Sequence, residues 1–188
     1  FCHSEKNNVN PVTGDVACDF YHHYEEDIRM LAEGGQNAYR FSIAWTRILP
    51  DGTGRKSQEG IDFYHRVIDT CRKYHVEPLV TLYHYDLPES IYEAGGWETR
   101  NIVEQFVEYA RICFEEYGQK VNYWVTINEP NYETLCCYGF GNYPPNVKDL
   151  GRRWRAMHHM LLASARAVAV FRELKLPGMV GLVSDSYP

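Results

Sequence analysis

The chain has 188 residues, 45% of them apolar and 23% charged, a balance that fits a globular domain with a core of its own. Nineteen basic residues against 25 acidic ones leave a net charge of −6, which argues against nucleic acid or anionic membrane as the main partner. No run of about 18 apolar residues occurs, so nothing reads as a membrane span.

In chain order, Asp19 can cap a helix that runs to Gly34-Gly35 and carries Tyr21, Tyr24, Ile28 and Leu31 on one stripe. A strand over 38–43 follows. The Gly- and Asp-rich stretch 50–54 leads into a second helix with Ile61, Tyr64, Ile68 and Cys71 at helical spacing. Residues 78–83 read as the next strand. After an irregular stretch ending at Gly95-Gly96-Trp97, a third helix presents Ile102, Phe106, Tyr109, Cys113 and Tyr117, and Gly118 closes it. A strand over 121–127, a long loop over 131–150, a helix over 152–174 and a strand over 179–184 complete the pattern.

Helices thus alternate with short apolar strands, which implies parallel strands joined by helical crossovers. An open dinucleotide-binding sheet would carry a GxGxxG turn after a strand, and none is present. Instead, polar and aromatic residues gather just past three strands: Trp45-Thr46-Arg47, His84-Tyr85-Asp86 and Asn128-Glu129. A barrel builds its active site at that face. Four strands are too few to close a barrel. Phe1 is not Met, and Pro188 follows directly on an apolar run, so both ends read as internal to a longer chain.

Three segments carry candidate chemistry. In Trp124 to Pro130, an apolar strand ends in an amide, a carboxylic acid and a proline; the alternative is an ordinary polar turn. In Thr81 to Pro88, His84 suits hydrogen bonding to a sugar hydroxyl better than metal binding, because no third ligand stands near Asp86 in sequence. In Tyr39 to Trp45, Arg40 shares a strand face with Ser42 and wants a partner carboxylate, either structural or catalytic. His22-His23 and His158-His159 read as partly exposed helix residues. Aromatic residues, Tyr above all, suit sugar rings, although many of them can simply line helix faces.

Cys2, Cys18, Cys71, Cys113, Cys136 and Cys137 are scattered and form no CxxC pair. They read as reduced thiols of a cytoplasmic protein, with Cys71 and Cys113 acting as small core hydrophobes. No metal is expected at the vicinal pair Cys136-Cys137.

Taken together, these segments resemble glycoside hydrolase family 1, the β-glucosidase, β-galactosidase and 6-phospho-β-glycosidase family. The resemblance runs through Gly14-Asp15-Val16-Ala17-Cys18-Asp19, Tyr39 to Trp45, Arg47-Ile48-Leu49-Pro50, Leu82 to Pro88, Gly95-Gly96-Trp97 and Thr126-Ile127-Asn128-Glu129-Pro130. Their order and spacing together are specific.

The resemblance implies an α/β fold, a partial (β/α)8 TIM barrel holding about strands 2 to 5 with their helices. Residues 1–188 would be the N-terminal half of one barrel domain, incomplete at both ends. It also implies hydrolysis with retention and no cofactor. Glu129 matches the general acid/base, Asn128 and His84 match sugar hydroxyl ligands, and Arg40 matches the arginine beside the nucleophile. The nucleophile's Thr-Glu-Asn-Gly-like strand is not in this stretch, so the remaining barrel residues would be required for activity.

One departure stands out: Tyr85 follows His84 where family members commonly have Trp. The implied substrates are β-linked glucosides, galactosides or their 6-phosphates. The competing readings are another retaining barrel glycosidase, such as an endo-glycanase, and a non-catalytic barrel fragment or interaction protein.

Overall fold

A computed structural model describes residues 13–186. Four parallel strands lie in chain order, β1 (Ala38–Ser42), β2 (Glu77–Tyr83), β3 (Tyr123–Asn128) and β4 (Met179–Val183). Their order is β1-β2-β3-β4, so each helical crossover moves one strand along in the same direction. All four carboxyl ends therefore sit at one edge of the sheet, which is where the polar segments emerge.

The helices are α1 (Phe20–Glu33), α2 (Trp45–Ile48), α3 (Gln58–Lys73), α4 (Glu89–Glu93), α5 (Asn101–Tyr117), α6 (Pro130–Thr134) and α7 (Leu150–Glu173). The expected apolar stripes of α3 and α5 lie in the core. Ile61, Tyr64, Ile68 and Cys71 of α3 are buried, as are Ile102, Phe106, Tyr109, Cys113 and Tyr117 of α5. Ser57 caps α3 by accepting the Gly60 amide, and Arg72 and Lys73 sit at its carboxyl end.

Several expectations need correction. Asp19 precedes α1, but its backbone is left-handed and its carboxylate makes no cap; it meets His22 Nδ1 at 2.8 Å instead. On α1 only Ile28 is buried, while Tyr21 stacks on Phe63 of α3. The stretch read as a loop over 131–150 begins as α6 and one π turn, Leu135–Phe140, because Pro130 starts a helix at its first position. Strand β3 starts two residues later and ends one later than expected, 123–128 instead of 121–127. Cys2 lies outside the described residues. Cys71, Cys113, Cys136 and Cys137 are buried free thiols, and Cys18 is an exposed one.

Side chains from the core reach the sheet edge and fix it. The Tyr109 hydroxyl lies 3.0 Å from the Ile43 carbonyl and 2.8 Å from the Leu82 carbonyl, bridging the ends of β1 and β2. Trp45 stacks on Tyr109 at 4.9 Å, and its indole donates to the Gly52 carbonyl. Helix α3 crosses α2 so closely that a Cβ at Gly60 would stand 1.7 Å from the Arg47 carbonyl oxygen. Among the described residues no helix is long and apolar enough to cross a membrane.

Candidate active site

The site is assembled where β1, β2 and β3 end. Arg40 comes from β1, where Phe41 turns to the helices and stacks on Tyr64, leaving Arg40 and Ser42 on the opposite, open face. Arg40 Nε donates to Thr81 Oγ1 at 3.0 Å, and its Nη2 donates to Asn128 Oδ1. Both partners are neutral, and Arg40 has no carboxylate partner among the described residues. Its face of the sheet is exposed, so water can solvate the charge.

Asn128 ends β3 with its side chain on Arg40 and Tyr85. Strict alternation would have sent it elsewhere. Thr126, two residues earlier, bonds Ser164 of α7 at 2.7 Å and so faces the helices. The register between β3 and β4 shifts between Val125 and Asn128. That irregularity breaks the alternation and lets Asn128 join the Arg40 side.

Glu129 follows immediately, with φ 42° and ψ 60°. A non-glycine residue in this left-handed region is uncommon, and the fold holds it there from both sides. Its amide donates to the Val183 carbonyl of β4 at 2.9 Å, and Pro130 begins α6 behind it. Asn131 on α6 also accepts the Asp185 amide at 3.3 Å. The Glu129 side chain is half-buried, and its Oε2 accepts a hydrogen bond from the Tyr85 hydroxyl at 3.0 Å.

Beyond β2, Asp86 is structural. Its carboxylate accepts the Trp45 amide at 3.0 Å and the His84 amide at 3.2 Å, and burial raises its affinity for a proton above the usual carboxylate value. This turn swings Tyr85 into a left-handed conformation, φ 72°, with its ring toward Glu129. His84 lies on a cavity of about 550 Å³ shared with Arg40, Ser42 and Thr81. Burial and then the Arg40 charge lower its proton affinity from the usual 6.5, so the imidazole is neutral at pH 7. A neutral imidazole can both donate and accept, which suits a hydroxyl.

Tyr85 also lines a second cavity, of about 910 Å³, with Trp97, Glu133 and Tyr143. Glu133 was not anticipated. It lies one turn past Glu129, is buried, and accepts the Tyr83 hydroxyl at 2.6 Å, while its Oε2 has no partner. Trp97 donates to the same Tyr83 oxygen at 3.1 Å. Burial, above all, pushes the Glu133 carboxyl up to about 8. No sequence signal marked it, because Glu in a first helical turn is ordinary. His159 also differs from expectation: it is buried and bonds the Trp97 carbonyl through Nδ1 at 2.8 Å, while His158 is exposed. His22 and His23 sit at the surface. No group of three metal-ligating side chains occurs among the described residues.

The sheet edge thus brings Arg40, His84, Asn128 and Glu129 together, with Tyr85 between the last two. Known proteins share this arrangement of the chain. Beta-glucosidase A of Thermotoga maritima is 46% identical over 186 residues, covering 99% of this chain and 42% of that protein. A 6-phospho-beta-galactosidase of Clostridium acetobutylicum is 42% identical over 172 residues, covering 91% of this chain and 36% of that protein. The solved Thermotoga maritima beta-glucosidase bound to castanospermine superposes with a TM-score of 0.95 over 99% of this chain and 42% of its own length.

The chain therefore spans less than half the length of these relatives. The expected fold stands: it is a parallel-strand α/β portion of a (β/α)8 barrel. The sequence model described as glycosyl hydrolase family 1 matches residues 1–188, and the chain belongs to that family.

Proposed function

We propose that this chain is the N-terminal half of a retaining β-glycosidase in which Glu129 is the general acid/base. The observation that carries the proposal is the placement of Glu129 at a strand's carboxyl end, half-buried, held by Tyr85 and next to Asn128. A retaining enzyme uses two carboxyl groups about 5–5.5 Å apart. Glu129 protonates the leaving oxygen while the other carboxylate attacks the anomeric carbon; Glu129 then takes a proton from the incoming water.

We assign the second carboxylate to residues outside this chain. Asp86 is engaged with two backbone amides, and Glu133 is buried against Tyr83. Asn128 and neutral His84 hold sugar hydroxyls. Arg40 has no carboxylate partner among the described residues, and we assign it to the neighbourhood of the nucleophilic carboxylate, whose ionised form it would favour. The reaction requires only these side chains and water.

The substrates proposed are terminal β-glucosides, β-galactosides or their 6-phosphates, the sugars named in the relatives' own descriptions together with their close variants. A cytoplasmic location accords with four buried free thiols.

The test is Glu129→Gln in the complete polypeptide that carries this chain. Hydrolysis of a substrate with a poor leaving group should slow by about 10²–10⁴. The loss should shrink for a good leaving group, and added azide should restore part of the turnover. Unchanged activity on the poor leaving group would remove Glu129 from the role.

A further inference from the structure

Among the described residues, the Tyr85 side chain hydrogen-bonds to the side chains of both Glu129 and Asn128. Its hydroxyl donates to Glu129 Oε2 at 3.0 Å and accepts from Asn128 Nδ2 at 3.3 Å. Asn128 Oδ1 in turn accepts from Arg40, which also donates to Thr81. The directions are determined by chemistry. Arginine only donates, so Asn128 must present its oxygen to Arg40 and its amide nitrogen to Tyr85. The Tyr85 oxygen, having accepted from that nitrogen, has its single proton left to give to Glu129. Tyr85 and Glu129 both adopt left-handed backbone, at φ 72° and 42°, so their contact rests on two conformations that side-chain-bearing residues rarely adopt.

We propose that Tyr85 is the positioning residue that selects which Glu129 oxygen does the chemistry, an inference that rests on the acid/base reading of Glu129. With Oε2 accepting from Tyr85, the transferable proton resides on Oε1. In the first step Oε1–H gives its proton to the glycosidic oxygen. The bond from that oxygen to the anomeric carbon breaks, its electron pair stays with the oxygen, and the nucleophilic carboxylate forms the new bond to carbon. In the second step water attacks the same carbon, the ester bond to the nucleophile breaks, and the water proton goes to Oε1.

Tyr85 donates a hydrogen bond throughout and never gives up its proton. Its phenol is held well above the usual value, first by burial and then by its bond to Glu129. The Tyr85 bond strengthens as negative charge appears on Glu129. Its contribution is therefore greatest when the leaving group most needs the proton.

The experiment compares the unaltered complete polypeptide with Tyr85→Phe and Glu129→Gln. The substrates are aryl and alkyl β-glycosides running from 2,4-dinitrophenyl to methyl leaving groups, on whichever of glucose, galactose or their 6-phosphates the unaltered protein hydrolyses fastest. Rates are normalised to active-site concentration. Tyr85→Phe should lower kcat/KM for the poor leaving groups by about tenfold to a hundredfold, the scale of one hydrogen bond to a charged group. The dinitrophenyl glycoside should be nearly unaffected, and the loss should fall on kcat more than on KM. A loss of equal size for every leaving group would mark Tyr85 as structural and overturn the inference, as would no loss at all. If Glu129→Gln shows the leaving-group dependence and Tyr85→Phe does not, only the Tyr85 inference falls. If Glu129→Gln is itself insensitive, the acid/base reading falls and takes the inference with it.

Discussion

Replacing Glu133 by Gln tests how the interior behind Glu129 is built. Glu133 is buried, bonded through one oxygen to Tyr83 and unpartnered at the other, with its carboxyl pushed up to about 8 from an ordinary 4.5. Its folded value lies above its unfolded value, so the folded state keeps the proton longer. Between about pH 4.5 and 8 the unfolded chain releases that proton while the folded chain does not, and stability falls as pH rises through this window. At about 1.4 kcal/mol per pH unit, the span from 4.5 to about 8 corresponds to a loss of about 4 kcal/mol by pH 8.

Gln resembles the protonated acid in shape and charge and has no proton to lose. Its oxygen keeps the Tyr83 bond, and its nitrogen replaces an atom that was already unpartnered. Glu133→Gln should therefore be close to neutral at pH 5 and stabilising by about 3–4 kcal/mol at pH 8. The assay is urea unfolding of the complete polypeptide, followed by tryptophan fluorescence at pH 5, 6.5 and 8. Other titrating groups are common to both proteins and cancel in the difference. A difference between variant and parent that stays flat from pH 5 to 8 would refute the reasoning.

The remaining predictions concern packing, binding and completeness. Gly60→Ala places a Cβ 1.7 Å from a backbone carbonyl, which cannot rotate away. It should destabilise by about 3 kcal/mol despite alanine's better helix propensity, and an unchanged melting temperature would contradict the α2–α3 contact. Asn128→Ala and His84→Ala should each lower kcat/KM with a much smaller rise in KM, because hydroxyl contacts tighten as the sugar ring flattens; a rise in KM alone would mean uniform binding. Residues 1–188 by themselves should not turn over an aryl β-glucoside or its 6-phosphate, and turnover abolished by Glu129→Gln would show that this stretch holds both carboxyls. The same preparation should self-associate in light scattering, since the four-stranded sheet leaves edge strands and an exposed face around Arg40 and Ser42.

What the sequence determined by itself is what periodicity and strand ends encode locally. The spacing of apolar residues, 3-4-3 in α3 and 4-3-4-4 in α5, located these two helices, because a helix must bury one stripe and those positions lie on it. The abrupt change from apolar to polar after Tyr83 and Ile127 located the carboxyl-end edge of the sheet, because neighbouring parallel strands of a barrel end together. What the sequence could not decide was which side chains would meet. Tyr85 and Glu129 are 44 residues apart and touch only because β2 and β3 pair in the register Tyr83 to Ile127. Asn128 turns toward Arg40 through a register shift against β4 that no alternation rule would place. Glu133 and His159 look like surface residues of helices until Trp97 and Tyr83 close over them. Each of these outcomes depends on contacts between segments distant in sequence, and burial, hydrogen bonding and proton affinity follow from those contacts rather than from the residue type.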